Sequence, residues 1–247
     1  MRALRILLII AVVLGGLFVA ADRVAVYLAE DEAAARVRSS EGLTSTPEVS
    51  INGFPFLTQL AGGTLDEVEV TIDDYDANAG TGSGRGATPV RIEKLTATMS
   101  DVEFTGDFTS ATAGRASGTA LVSYPELLKA AQVEPVEPIP GVTAQVVQLS
   151  DGGDGKVAVH VELTAGGVKS KLPPVNASLV VRNGEIAVQA DKLPNVGIPI
   201  PEETIRKVTD FRQRISDLPA GVELDAVEAA EDGVDLLLKG SNVRLVG

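Results

Sequence analysis

Hydrophobic and polar positions change rhythm several times along the chain, and the first change is the sharpest. Met1-Arg2-Ala3-Leu4-Arg5 precedes sixteen uncharged, mainly apolar residues, Ile6 to Ala21, and Asp22-Arg23 closes the run. Basic residues ahead of an apolar core of this length mark an export segment. Val19-Ala20-Ala21 places small residues where a signal peptidase reads, so cleavage after Ala21 is one expectation. The other is an uncleaved anchor. Sixteen helical residues span about 24 Å, short of a hydrocarbon core of about 30 Å, but Val24, Val26, Tyr27 and Leu28 are available to lengthen the helix. An ordinary buried helix is disfavoured, because the run has no polar face. On both favoured readings Arg2 and Arg5 hold the N-terminus in the cytoplasm. The expected organisation is therefore residues 1–21 as signal peptide or membrane anchor and residues 22–247 as a single extracytoplasmic domain.

Asp22 to Arg38 reads as a helix with Val24, Tyr27, Leu28 and Ala35 near one face. Ser39 to Pro47 is a polar linker, and Val49-Ser50-Ile51 a short strand. In Asn52-Gly53-Phe54-Pro55-Phe56-Leu57-Thr58-Gln59-Leu60-Ala61-Gly62-Gly63, Pro55 suits a first helical turn and the glycine pair its end. From Leu65 the period becomes two: Val68, Val70 and Ile72 alternate with Glu67, Glu69, Thr71 and Asp73, the pattern of a half-buried strand. Asp76 to Pro89 is a Gly-rich loop. Val90 to Phe104 and Thr119 to Val122 are strand regions, and Ser123 caps a short helix ending at Ala131. Val133 to Gly141, with three prolines, is a linker or extended crossing.

Three hairpins follow. Val142–Leu149 and Lys156–Leu163 flank a turn from Asp151 to Gly155; Ala177–Val181 and Glu185–Gln189 flank Asn183-Gly184; Val222–Ala229 and Val234–Leu238 flank Glu231-Asp232-Gly233. Between the second and third, Pro201 to Ser216 reads as an amphipathic helix. Its stripe is Ile205, Val208, Phe211 and Ile215, with Glu202 and Glu203 in the first turn and Arg212 and Arg214 in the last. The inventory predicts an α+β fold in which an antiparallel sheet packs on amphipathic helices.

Composition narrows the chemistry. Of 247 residues 45% are hydrophobic yet only 4% aromatic, and 32 are valine, so the interior is β-branched and strand-rich. The absence of cysteine rules out disulfides, thiol catalysis and Cys-ligated metals. A single histidine, His160, argues against a multi-His metal site or a Ser-His-Asp triad. Beyond residue 38 the chain carries 16 basic and 30 acidic side chains, a net charge of −14. Such a body is repelled by phosphate backbones, which excludes nucleic acid, and any lipid contact must be apolar.

Most chemical motifs fail on inspection. Asp74-Tyr75-Asp76-Ala77-Asn78 begins like a calcium loop, but Ala79 and Arg85 stand where the glycine and the bidentate glutamate belong. The glycines from Gly80 to Gly86 lack the Gly-Lys-Ser/Thr of a phosphate cradle. Asp151 and Asp154 fit turn chemistry rather than a catalytic carboxylate pair. His160 lies on the polar register of its strand, and Asn176-Ala177-Ser178 is a short sequon. No cofactor, metal or catalytic residue is expected.

What remains is apolar. Ile51, Phe54, Phe56, Leu57 and Leu60, together with the stripe Ile205, Val208, Phe211 and Ile215, either plug a filled core or face lipid; both outcomes need the same inward apolar residues.

The order of these features resembles the actinobacterial LmeA-like phospholipid-binding family. The carriers are the export segment, the helix that starts at Asp22-Arg23, Ile51-Asn-Gly-Phe-Pro-Phe-Leu-Thr-Gln-Leu, the Val68/Val70/Ile72 strand, and Leu218-Pro-Ala-Gly-Val-Glu-Leu-Asp-Ala-Val ahead of the Gly233 hairpin. The resemblance covers nearly the whole chain, and its most specific stretch is Gly53 to Leu57. It implies a curved antiparallel sheet wrapped on helices, of the tubular lipid-binding (BPI-like) type. It also implies an extracytoplasmic protein that binds phospholipids and supports mannan elongation on envelope lipoglycans.

The leading expectation is a non-enzymatic carrier or sensor of phospholipid acyl chains, associated with the membrane through its N-terminal segment. The nine apolar residues above are its lipid-binding set, and no protein partner is assigned. Two rivals stand beside it. One is an envelope interaction module with a filled core and no ligand. The other is a carboxylate-based glycan hydrolase, which needs two cleft-lining carboxylates at catalytic separation.

Overall fold

The apolar run and the amphipathic stretch after it form one unbroken helix, α1, from Arg2 to Ser40, about 58 Å long. This is a computed structural model, and it describes residues 2–79, 88–106, 110–131, 135–182, 185–191, 211–214 and 221–246. Helix α1 is long and apolar enough to cross a membrane, and no residue of its apolar window is buried. Its C-terminal half packs through Asp22, Val26 and Ala34, with Ala25 and Ala29 beside them. Val24, Tyr27, Leu28 and Ala35, which the spacing places near one face, point outward. Small alanines allow close approach, and two carboxylates on the packed face find backbone donors, as described below.

Strand β1 (Glu48–Asn52) leads through a tight turn to α2 (Phe56–Gly62), and then β2 (Thr64–Ala79), β3 (Thr88–Phe104) and β4 (Ser110–Ser123) follow. Helix α3 (Tyr124–Ala131) precedes β5 (Val136–Ile139), β6 (Val142–Gly153), β7 (Lys156–Ala165), β8 (Val168–Lys171), β9 (Val175–Arg182), β10 (Glu185–Ala190), β11 (Phe211–Arg214), β12 (Val222–Ala229) and β13 (Gly233–Val246). One sheet has the order β1-β2-β3-β4-β13-β12; the other has the order β11-β10-β9-β7-β6-β5, with β8 also on β7. The three predicted hairpins are β6–β7, β9–β10 and β12–β13. In the first, Val146 sits opposite Val161 and Leu149 opposite Val159; in the second, Val188 sits opposite Leu179.

The chain divides into two compact units, residues 1–72, 96–117 and 240–247 in the first and residues 73–95 and 118–239 in the second. The first has a small core of Val26, Phe56, Leu65, Val102, Ala111 and Ala113. The second buries a larger valine-rich core. There Val146, Val159, Val161 and Val175 meet Leu224, Val227 and Val234 from the other sheet, and Tyr124 closes it from α3. Period-two patterning set these strands: β6 alternates buried Ala144 and Val146 with exposed Thr143 and Gln145.

One predicted element is corrected. The helix expected over Pro201–Ser216 does not hold across Phe211–Arg214, which is strand β11. It pairs antiparallel with β10, Val188 opposite Phe211 and Glu185 opposite Arg214. A backbone ladder on an open sheet edge overrides helix propensity and dipole-matched charges, each of which is worth only tenths of a kcal/mol to about 1 kcal/mol. Residues 201–210 and 215–216 of that expectation lie outside the described residues.

Candidate functional site

Five of the expected apolar residues come together in the first unit, and the turn between β1 and α2 places them. After Asn52, Gly53 takes φ +103° and the Phe54–Pro55 peptide is cis. That φ is one L side chains rarely adopt, which favours glycine, and a Cβ there would also meet the side-chain ends of Gln59 and Asp66. Pro55, extended at φ −79°, is the N-cap of α2 and offers no side-chain acceptor to the first-turn N–H groups.

The missing acceptor comes from α1. Asp22 Oδ1 accepts the Leu57 N–H at 2.8 Å. Two turns along the same face, Glu30 Oε1 accepts the Ile51 N–H of β1, also at 2.8 Å. Strand β1 is an edge of its sheet, so Glu30 satisfies a donor that no neighbouring strand reaches. Asp22, Val26, Glu30 and Ala34, four residues apart, thus form one ladder that fixes α1 against β1 and α2.

Asp22 is fully buried. Its charge is met there by the Leu57 N–H and by the Arg23 guanidinium. Arg23 pairs with Asp22, stays half exposed, and sets its guanidinium carbon 5.3 Å from the centre of the Phe54 ring, a cation–π contact.

The cluster is graded from inside to outside. Phe56 is 3% exposed and sits in the core with Val26, Leu65 and Val102. Ile51, Leu57 and Leu60 are half-buried against that core, and Phe54 projects outward, 57% exposed. Of the second predicted group, Ile205, Val208 and Ile215 lie outside the described residues, and for Phe211 only the backbone, in β11, is described.

The polar candidates are occupied locally. Asp74 takes φ +54° inside β2, and Asp76 pairs with Arg91 at 3.2 Å. Asp151 Oδ1 accepts the Gly153 N–H at 2.8 Å, which is turn chemistry. His160 Nε2 lies 3.0 Å from Ser150 Oγ. Asn176 donates to the Gly152 carbonyl, and Ser178 donates to Asp191, which also pairs with Lys156. Among the described residues no group of three or more His, Asp or Glu side chains is placed to hold a metal ion.

The residues that sequence reading missed are Asp22, Arg23 and Glu30. The available sign was an aspartate directly against an apolar run, a costly position for a charge unless it has partners. Those partners, 35 positions downstream, were not legible.

Residues 20–239 match the model of a protein family described as LmeA-like phospholipid-binding. The match takes in Asp22, Glu30 and the whole Gly53–Leu60 cluster. No curated protein and no solved structure matches the chain.

Proposed function

We propose that this protein, which belongs to the LmeA-like phospholipid-binding family, is a non-enzymatic carrier or sensor of phospholipid in the extracytoplasmic cell envelope. The observation that carries this reading is the family match over residues 20–239. The export-type segment at residues 1–21 supports the location, and the graded apolar cluster at Gly53–Leu60 supports direct contact with lipid. Each buried acyl methylene contributes about 0.8 kcal/mol, so partial enclosure of one chain supplies useful affinity without charged contacts. This suits a body of net charge −14 beyond residue 38.

Within the cluster, Phe54, Leu57 and Leu60 meet the acyl chain, while Phe56 supports them from the core. Ile205, Val208, Phe211 and Ile215 remain the second part of the proposed lipid-binding set. The finer architecture implied by the resemblance, an antiparallel sheet wrapped on helices as in tubular lipid-binding proteins, and the role in lipoglycan and mannan biogenesis belong to the same proposal.

The test is native mass spectrometry of protein prepared without detergent, followed by organic extraction and uptake of a fluorescent phospholipid. Bound phospholipid and saturable uptake are expected. Recovery of no lipid together with no uptake overturns the reading in favour of a filled-core module without ligand.

A further inference from the structure

The apolar surface does not stop where the uncharged run stops. On the packed side of α1 the run ends at Asp22. On the outward side Val24, Tyr27 and Leu28 continue it, 60%, 63% and 60% exposed. Counted to Leu28, the apolar face extends over twenty-three residues, about 34 Å, enough to cross a hydrocarbon core of about 30 Å that the sixteen residues Ile6–Ala21 do not fill. Of the two charges within that length, Asp22 is buried and accepts the Leu57 N–H, and Arg23, half exposed, is paired with it.

The same bond fixes where Phe54 lies along α1. Asp22 is tied to Leu57, and Arg23 stands over the Phe54 ring, so the Gly53–Pro55 turn sits level with residues 22 and 23. Leu28 is five residues, about 7.5 Å, farther from the apolar run. A bilayer boundary that reaches Leu28 on one side of the helix therefore meets Phe54 on another. The chemistry of the level matches an interface: an exposed phenylalanine, an outward tyrosine, and an arginine whose stem is apolar and whose head is half exposed.

We propose that the head-group layer of the bilayer reaches Leu28 on the outer face of α1 and immerses Phe54, making the Gly53–Pro55 turn a second membrane contact beside the apolar helix. The inference rests on the reading of residues 1–21 as a retained anchor. Arg23, the cation at this level, is already paired with Asp22, so the contact is apolar and does not require anionic lipid.

The chain has no tryptophan, so an introduced indole reports alone. The full chain carrying F54W, L28W or S39W is reconstituted into phosphatidylcholine bilayers with and without brominated acyl chains. Ser39 is exposed near the end of the same helix, about 16 Å beyond Leu28, and serves as the aqueous reference. The indoles of F54W and L28W are expected to emit at shorter wavelength than that of S39W and to lose at least half their intensity to bromolipid, while S39W is unaffected. Emission and quenching of F54W equal to those of S39W overturn the proposal. Phospholipid uptake is read on S39W, whose substitution lies outside the lipid-binding set. An unquenched F54W beside an S39W that takes up phospholipid sinks the membrane contact alone, whereas a quenched F54W beside an S39W without uptake sinks the ligand reading alone.

Discussion

The Asp22 carboxylate accepts the backbone N–H of Leu57 at 2.8 Å, joining a helix to the first turn of another helix 35 residues later. Helix α2 begins at a proline with no side chain to cap it, and α1 supplies the cap from outside. Stability of the turn and position of α1 are therefore coupled: both weaken if Asp22 loses its charge, and more if it loses its oxygen.

That coupling shows in variants. At neutral pH D22A should melt roughly 2–6 °C lower than the native chain by circular dichroism, with D22N in between because its amide oxygen still accepts the Leu57 N–H. A D22A chain that melts with the native one contradicts the assignment.

Two glycines are held by different constraints and should respond differently. At Gly53 the backbone itself is left-handed, φ +103°, and the obstructing atoms are side-chain ends of Gln59 and Asp66. G53A is expected to cost about 1–3 kcal/mol, mostly from the backbone conformation. At Gly233 a Cβ would run into the Val122 carbonyl and lie 2.8 Å from the Ser123 Cα, neither of which can rotate away. G233A should therefore cost more than G53A in denaturant unfolding. The reverse order would show that the close approach of Gly233 to Val122 and Ser123 relaxes cheaply.

Tyr124 gives a spectroscopic test of the second unit. Its hydroxyl donates to the Ala230 carbonyl at 2.7 Å across 106 residues. Burial first, and then the charges of Asp151 and Asp232, push its pKa up to about 12. Because the folded value exceeds the unfolded value of about 10, the contribution to stability is complete below that and is lost as pH rises through about 12. The tyrosinate absorbance of the native protein minus that of Y124F should titrate near pH 12; a midpoint near 10 counts against the buried hydrogen bond. The lost bond should lower the stability of Y124F by about 1 kcal/mol.

The strands and hairpins were legible because period-two alternation and turn residues are local properties, and β6, β7, β9 and β10 follow them closely. The short helix between Pro55 and Gly63 was legible for the same reason. What was not legible depends on partners distant in sequence. Which side of α1 packs was not legible, because Val24, Tyr27 and Leu28 are its larger apolar residues and yet point outward. The packed side is decided by Asp22 and Glu30 finding N–H donors at Leu57 and Ile51. The strand at Phe211–Arg214 was hidden behind a helical spacing of apolar residues, since only pairing with β10 distinguishes the two.

Phe54 and Phe56, two residues apart, should separate binding from folding. Phe56 fills the core beside Val102 and Ala113, so F56A is expected to lose about 3–5 kcal/mol and to unfold at markedly lower denaturant. Phe54 is exposed and touches the Arg23 guanidinium, worth about 0.5–1 kcal/mol at such a site, so F54A should unfold within about 1 kcal/mol of the native chain. Its proposed lipid contact is another matter. Removing an exposed phenylalanine from an apolar contact forfeits about 1–2 kcal/mol, which corresponds to roughly 5–30-fold weaker phospholipid uptake. A folded F54A with unchanged uptake would remove Phe54 from the lipid-binding set and leave the ligand contact to Leu57 and Leu60. Loss of uptake in F56A alone, in step with its loss of fold, would assign the cluster to the core.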